Sequence, residues 1–436
     1  MSTGRRPARA WYASLRPVAA EGHEVLLLEG GDQYFPALCA AVDEAAHSVF
    51  LETYIFEDDA AGRRVAAALA RAARRGVAVH LTVDGYGTPA LTGEVRDALR
   101  SSGVRVEIFR PERRRLSLDR RRLRRLHRKI AVIDGRTAFV GGINILDDRF
   151  DPNHGPLDAP RLDFAVRVRG PVVANILLAA QRMWWALGLI HRALGVVRGP
   201  RGGALPSGAP NPVPRDMSTD TSADARPADA RPADARPTDA RPVGGLRAMF
   251  VLRDNFRFRR AIEQQYLLAI HGARREVLIA TAYFFPGARF RKALIEAAAR
   301  GVRVRLLLQG RAEYRLPHYA SHAFYDELLA AGVEIVEYRR SFLHAKVAVI
   351  DDAATVGSSN IDPFSLLVAR EANLFVFDAA FAARLRARIL HALEQGGVAV
   401  QAAVHARRGW LVRILNALAR TLLRAALAFS GEGDGY

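Results

Sequence analysis

His127-Arg128-Lys129-Ile130-Ala131-Val132-Ile133-Asp134 and His344-Ala345-Lys346-Val347-Ala348-Val349-Ile350-Asp351 are one pattern written twice in a chain of 436 residues. Each copy places lysine two residues after histidine, then four apolar residues, then aspartate. The lysines are informative because they are rare: of 64 basic side chains only Lys129, Lys292 and Lys346 are lysine, and two of those three occupy the repeated position. Lysine carries a compact point charge, arginine a planar fork, so the two are not interchangeable at a tight anion site. A strand alternates its side chains, which puts His127 with Lys129 and His344 with Lys346 on shared faces. The same parity turns Asp134 and Asp351 the other way, where they orient structure behind the strand.

Around these motifs the chain reads as two related halves. In the first, an apolar strand over 49–56 precedes a helix over 61–75, Gly76 and a strand over 77–83. In the second, a strand over 277–285 precedes a helix over 289–300, Gly301 and a strand over 302–308. Alternating strand and helix periods predict an α/β fold, here duplicated. The expected boundaries are a first domain over 1–198, a linker over 199–247, a second domain over 248–403 and a basic amphipathic tail over 404–436. The linker contains four Asp-Ala-Arg-Pro repeats beginning at Asp224, Asp229, Asp234 and Asp239. Proline in every copy and a dearth of large apolar residues leave nothing to build a core, so disorder is expected.

A formal net charge of +19 implies an anionic partner, either nucleic acid or an acidic membrane surface. A single cysteine, Cys39, allows no intrachain disulfide and reads as core packing. No apolar run reaches spanning length without interruption; 172–190 comes nearest, broken by Asn175, Gln181 and Arg182, and reads as a buried or interfacial helix. If the protein meets a membrane it is expected to do so peripherally.

After each motif the chain turns into small residues and an asparagine: Gly141-Gly142-Ile143-Asn144 in the first half, Gly357-Ser358-Ser359-Asn360 in the second. Small residues permit close backbone approach to an anion, and asparagine offers an amide donor. Two imidazoles, two ammonium groups and two amides around one point describe phosphoryl transfer that needs no metal or cofactor. One imidazole attacks phosphorus and the other protonates the leaving oxygen, while Lys129, Lys346, Asn144, Asn360 and Ser358 hold the phosphoryl oxygens.

The spacing His127-x-Lys129-x4-Asp134-x6-Gly141-Gly142-x-Asn144 resembles the signature of the phospholipase D superfamily, and the second copy resembles it too. Within it, Ala369-Arg370-Glu371-Ala372-Asn373 and Gly357-Ser358-Ser359-Asn360-Ile361-Asp362 are most similar to bacterial cardiolipin synthases of the short type without transmembrane anchors. The resemblance implies two phospholipase D-like α/β sandwich domains packed pseudo-symmetrically, with His127, Lys129, Asp134, His344, Lys346 and Asp351 as the catalytic motif. It implies transfer of a phosphatidyl group from phosphatidylglycerol through a phosphohistidine, with His127 as nucleophile and His344 as acid, then base. It also implies histidine-orienting carboxylates, mapped as Glu371 for His344 and Asp163 for His127. A hydrolytic phospholipase D, or a nuclease of the same superfamily, is the alternative. Two departures stand out: one residue fewer between Asp351 and Gly357 than between Asp134 and Gly141, and Gly142 where serine is usual.

The surroundings favour a lipid over nucleic acid. An arginine-rich run over 110–129 reads as an electrostatic collar. Over 405–429, Leu411, Ile414, Leu415, Leu418, Leu422 and Phe429 share a helical face, with Arg413, Arg420 and Arg424 opposite and Trp410 at the flank. Such a helix can lie in a membrane interface. The expected place of action is the cytoplasmic face of a bacterial membrane, with anionic phospholipid as partner.

Overall fold

The computed structural model describes residues 15–89, 91, 94–111, 124–151, 154–193, 245–254, 258–311 and 315–429. The repeats, the linker up to 244 and most of the arginine run lie outside the described residues.

In the first half the strands are β1 (Ala20–Glu29), β2 (Ser48–Thr53), β3 (Ala78–Asp84), β4 (Arg105–Phe109), β5 (Lys129–Ile133) and β6 (Thr137–Gly141). A short ribbon, β7 (Phe150–Asp151) and β8 (Gly155–Pro156), precedes β9 (Phe164–Arg169). The second half supplies β10 (Leu246–Arg253), β11 (Glu276–Thr281), β12 (Arg303–Gln309), β13 (Glu334–Tyr338), β14 (Lys346–Ile350), β15 (Ala353–Gly357), β16 (Glu371–Phe377) and β17 (Gly397–Ala399). The first half is ordered β1-β9-β6-β5-β2-β3-β4, and the second β10-β16-β15-β14-β11-β12-β13 with β17 at its edge. These orders are the same topology twice. Antiparallel pairing of β1 with β10 joins them into one 15-stranded sheet.

Local sequence explains the repeated units. Asp59 caps the helix Ala60–Arg74 by accepting from Gly62 N–H at 2.8 Å. That helix ends at Gly76, whose positive φ of 91° lets Val77 N–H return to Ala72 C=O. Gly301 does the same after the helix Ala288–Ala299, with Val302 N–H returning to Ala297. Both motif strands, Lys-Ile-Ala-Val-Ile and Lys-Val-Ala-Val-Ile, are buried along their whole length at the centre of the sheet.

One core serves both halves. Ile130, Val132, Val140 and Val166 pack in the same cluster as Val347, Val349, Val356 and Leu374, together with the helices Val172–Ala193 and Ala379–Gly396. Each half adds its own outer core beneath its flanking helices. Val172–Arg192 is long and apolar enough to cross a membrane by length and composition. Here Val173, Ile176 and Ala180 are buried in the shared core, while Trp185, Leu189 and Ile190 towards the helix end are exposed.

Two expectations need correction. The apolar run 49–56 is strand only to Thr53, because the chain bends at Tyr54 and Thr53 Oγ1 donates to Ile55 C=O at 2.8 Å. The run 277–285 stops likewise at Thr281, whose Oγ1 donates to Tyr283 C=O at 3.1 Å. The bends let Phe56 and Phe284 form isolated bridges with Ile145 and Ile361, just past the asparagines.

Asp134 and Asp351, grouped with the catalytic motif by the resemblance, stand at the far ends of β5 and β14. Five strand residues separate Asp134 from the histidine end, about 17 Å at the usual rise. Each aspartate sits at positive φ, 52° and 51°, at the hairpin turn. Asp134 accepts backbone N–H bonds from Ala46, His47 and Ser48, and Asp351 from Arg274, Arg275 and Glu276. Burial would raise these carboxyls, but the three donors reverse its effect and hold both below the ordinary aspartate value. They fasten the hairpins to the preceding helix–strand joints.

The Asp134→Ala variant is expected to lose on the order of 2 kcal/mol by leaving these donors unmet. By differential scanning calorimetry that should lower the melting temperature by roughly 2 °C. Because the folded carboxyl titrates below its unfolded value of about 3.9, its contribution is present above that pH and is lost as pH falls through the folded value. Wild type and variant should therefore converge in acid.

Candidate active site

The two histidines are brought together by backbone bonds between the halves. Leu126 bridges Arg370 and Leu162 bridges Leu343, each in parallel. Through the first, His127 N–H donates to Arg370 C=O at 3.0 Å and Arg370 N–H to Arg125 C=O at 2.8 Å. Through the second, Leu162 N–H donates to Phe342 C=O at 2.9 Å and His344 N–H to Leu162 C=O at 2.8 Å. Each histidine is thereby set beside the carboxylate of the opposite half.

His127 Nδ1 lies 2.8 Å from Glu371 Oε1, and His344 Nδ1 lies 2.6 Å from Asp163 Oδ2. This corrects the expected pairing, which joined His127 to Asp163 and His344 to Glu371. The carboxylates do occupy equivalent places: Gly141 faces Ala165 and Gly357 faces Asn373, so Asp163 and Glu371 each stand two residues before that point. They cross over because the parallel bridges, not the sheet neighbours, decide which imidazole each one meets. With Nδ1 bound to a carboxylate, Nε2 is the ring nitrogen left for chemistry.

Lys129 Nζ donates to His127 C=O at 2.6 Å, and Lys346 Nζ donates to His344 C=O. Lys346 Nζ also stands 4.0 Å from Asp163 Oδ2. Both lysines are buried. The missing residue in the second motif is absorbed by its turn: Lys129 faces Gly141, and Val347 facing Val356 carries Lys346 opposite Gly357.

Asn144 Oδ1 accepts from Ile55 N–H at 3.1 Å, which turns its carbonyl to the protein and leaves NH2 as the group for a ligand. The Asn360 amide stands 3.5 Å from Thr281 Oγ1, the equivalent place in the second half. Ser358 Oγ donates to Glu371 Oε2 at 2.5 Å, so its hydroxyl is committed to the carboxylate rather than to a phosphate. The equivalent Gly142 has no room for such a side chain: a Cβ there would lie 2.3 Å from Asp163 Oδ1.

Further residues that sequence reading did not single out hold the site. Asp84 Oδ2 accepts from Leu126 N–H at 2.9 Å, and Gln309 Oε1 from Leu343 N–H at 3.2 Å, fixing the strands just before the histidines. Both end their strands, β3 and β12, and that repeated placement was the available signal. Arg128, the middle residue of the first motif, points to the opposite face and grips Glu52 at 2.5 and 2.9 Å and Ala179 C=O at 3.1 Å. The Tyr54 ring lies 4.8 Å from that of His127, with Lys129 Nζ 5.4 Å from its centre.

Burial shapes the proton inventory. It pulls His127 below the ordinary imidazole value of 6.5, with Glu371 opposing and Lys129 adding to the fall. It lowers His344 further, aided by Lys346 and Lys129. Asp163 is raised to about 7 by burial against the pull of Lys346. The His344–Asp163 pair therefore favours its neutral form, and as a unit keeps its acidic proton to near neutrality. Burial brings Lys129 down to about 7, opposed by Glu371. No group of three or more His, Cys, Asp or Glu side chains suited to a metal occurs among the described residues.

A family model described as cardiolipin synthase, phospholipase D-like domain, matches the chain twice, over 38–155 and 266–393, more than half its length. The chain is 38% identical over 421 residues to cardiolipin synthase B of Salmonella typhi, covering 94% of this chain and 90% of the relative. It is 31% identical over 380 residues to cardiolipin synthase A of Pseudomonas entomophila, covering 85% and 70%. The fold matches the crystal structure of phosphatidylserine synthase from Haemophilus influenzae Rd KW20 with a TM-score of 0.62 at 12% identity, covering 98% and 99%. Duplicated motif, shared sheet order and similarity along nearly the whole chain agree: the protein belongs to the cardiolipin synthase family with phospholipase D-like domains.

Proposed function

We propose that this enzyme is a cardiolipin synthase, a phosphatidyltransferase in which the crossed histidines divide two chemical steps. The observation that carries the mechanism is that each imidazole is held through Nδ1 by a carboxylate from the other half. His127, drawn below its ordinary value, is neutral at physiological pH and offers Nε2 to phosphorus. An Nε2–P bond forms, the P–O bond to glycerol breaks, and the His344–Asp163 pair delivers a proton to the departing oxygen. The primary hydroxyl of a second phosphatidylglycerol then attacks phosphorus, its proton returns to His344, and His127 is released. Lys129, Lys346 and the asparagine NH2 groups stabilise charge on the phosphoryl oxygens throughout.

A peripheral membrane position supports this chemistry. The C-terminal helix Trp410–Phe429 sits on the helix Arg315–His322, burying Asn416 and Ala419. Its leucine face is turned outward: Leu411 is 63% exposed, Leu418 55% and Leu422 60%. The helix thus packs through a flank of small and polar residues and leaves its apolar stripe for an interface. The side chains of Arg413, Arg424 and Phe429 lie outside the described residues. We place the anionic leaflet, rich in the phosphatidylglycerol substrate, against that stripe.

Incubation with phosphatidylglycerol vesicles, without divalent metal, should release glycerol and form cardiolipin, and trapping at alkaline pH, where the acid-labile N–P bond survives, should map phosphate to His127. Label on His344 alone would reverse the assignment, and no covalent intermediate would overturn the mechanism. The profile of kcat/KM against pH should be a bell, falling below pH 6.5 as His127 gains a proton and falling again near pH 7 as the His344–Asp163 pair and Lys129 lose theirs. In Glu371→Gln the acid limb should move lower still, because the carboxylate that raises His127 is gone.

Lys129→Arg and Lys346→Arg should each cost on the order of 100-fold in rate, as loss of a preorganised transition-state donor does. Lys292→Arg, 75% exposed and paired only with Glu296 at 3.6 Å among the described residues, is the control and should be nearly silent.

Substituting Leu415, Leu418 and Leu422 together by serine should weaken sedimentation with phosphatidylglycerol vesicles while leaving the melting temperature unchanged. Binding of the parent protein should fall with added salt, since screening shortens from about 10 Å at 0.1 M to about 3 Å at 1 M. Equal sedimentation of parent and triple variant would remove the helix from the membrane contact.

A further inference from the structure

The two halves share one topology, so residues at equivalent places can be compared directly, and around the histidines they differ at specific positions. Tyr54 and Ala282 are equivalent: each follows a strand end at Thr53 or Thr281, and each precedes a bridge from Phe56 or Phe284. Ala282 N–H donates to Ala345 C=O at 3.1 Å, next to His344. Tyr54 is clamped in place, for a Cβ on Gly87 would lie 2.8 Å from its ring, and its other side meets His127 and Lys129. Where the His127 side has a tyrosine wall, the His344 side has a methyl group.

Two more equivalent pairs follow suit. Asp84 and Gln309 both hold the strand before the histidine, but Asp84 is a carboxylate also bound by Tyr86 and Gly87 N–H, at 2.8 and 3.2 Å. Gln309 is an amide whose buried Nε2 has no hydrogen-bond partner among the described residues. Arg161, two residues before Asp163, is equivalent to Ala369, two before Glu371. Its buried guanidinium pairs with Asp151 at 2.8 Å and still adds positive field at His344. The His127 side carries an aromatic ring and the ion pair of Asp84 with Arg125 at 3.7 Å, and the His344 side is small, with an amide donor unmet among the described residues and the Arg161 guanidinium.

We propose that this inequality specialises the two sides: Tyr54 walls the covalent phosphate on His127, and Ala282, Gln309 and Arg161 form the subsite for the incoming acceptor. That subsite fits an alcohol that itself carries a phosphodiester. Its bulk needs the space at Ala282, its phosphate meets Arg161, and an oxygen of its headgroup accepts from Gln309 Nε2. In-line displacement places the acceptor opposite the His127 Nε2–P bond, hence beside His344, which takes the proton as the acceptor oxygen bonds to phosphorus and the Nε2–P bond breaks. The inference rests on the transferase reading above, with His127 as nucleophile.

The test compares two outcomes of one intermediate in phosphatidylglycerol vesicles with labelled glycerol. Exchange of labelled glycerol into phosphatidylglycerol needs only a small neutral acceptor, whereas cardiolipin formation needs the phosphate-bearing one. Ala282→Leu and Arg161→Gln should each lower the ratio of cardiolipin formed to glycerol exchanged by roughly tenfold or more, the scale of a pocket mismatch. Tyr54→Ala should lower both rates together and leave the ratio unchanged, with Tyr54→Phe restoring them. Glycerol exchange itself reports a folded site in each variant. Should Ala282→Leu fail to fold, Ala282→Val is judged by the same ratio. An unchanged ratio in the Ala282 and Arg161 variants, or a ratio altered by Tyr54→Ala, overturns the assignment. Wild-type protein that neither exchanges glycerol nor forms phosphohistidine would instead sink the transferase reading, and this subsite with it.

Discussion

Two parallel backbone bridges, Leu126 with Arg370 and Leu162 with Leu343, hold the rest of the site in place. They stitch the segment leading into each histidine to the segment leading into the other half's carboxylate. Without them neither imidazole would have its Nδ1 partner, since Glu371 begins, and Asp163 immediately precedes, a strand that pairs within its own half. Neither half alone contains an oriented histidine. The antiparallel joint of β1 with β10 and the core shared by the two halves of the sheet keep these bridges in register. This gives a physical reason for a duplicated chain to form one site rather than two.

Burying two lysines, two histidines and two carboxylates together is costly unless their charges are mutually compensated. Compensation here is cross-wise: each lysine shifts both imidazoles, and Asp163 draws on lysines from both halves. The site is consequently poised, with Lys129 and Asp163 both near 7 and the imidazoles below their ordinary values. An entering phosphodiester anion supplies negative charge that favours the cationic form of Lys129. The site is built to be completed by its substrate.

Exact symmetry would suit a reaction whose two steps were identical, and this site departs from it in specific residues. Ser358 braces Glu371 where Gly142 leaves Asp163 without a hydroxyl, and Tyr54 crowds His127 where Ala282 stands beside His344. Donating a proton and attacking phosphorus make different demands on an imidazole, and a lipid acceptor makes different demands on space from a covalently held phosphate. The same economy shows at the surface, where the C-terminal helix packs through Asn416 and Ala419 and keeps its leucines outside.

The amino-acid sequence by itself determined the duplication, the strand–helix units and the identity of the chemical groups. Histidine and lysine two residues apart share a strand face by the pleat alone, and Gly76 and Gly301 end their helices through their own backbone freedom. The unlike parity of Asp134 and Asp351 was legible too, though the resemblance still grouped them with the catalytic motif. Only the tertiary structure decided which carboxylate serves which histidine, because those partners lie 244 and 181 residues apart and their pairing follows from how the two halves of the sheet face each other. It also decided that the Ser358 hydroxyl serves Glu371, that the strands stop at Thr53 and Thr281, and that Tyr54 faces His127. Periodicity fixes which face a side chain takes on its own element. What that face meets depends on the distant segment brought against it, and the local pattern holds no record of that.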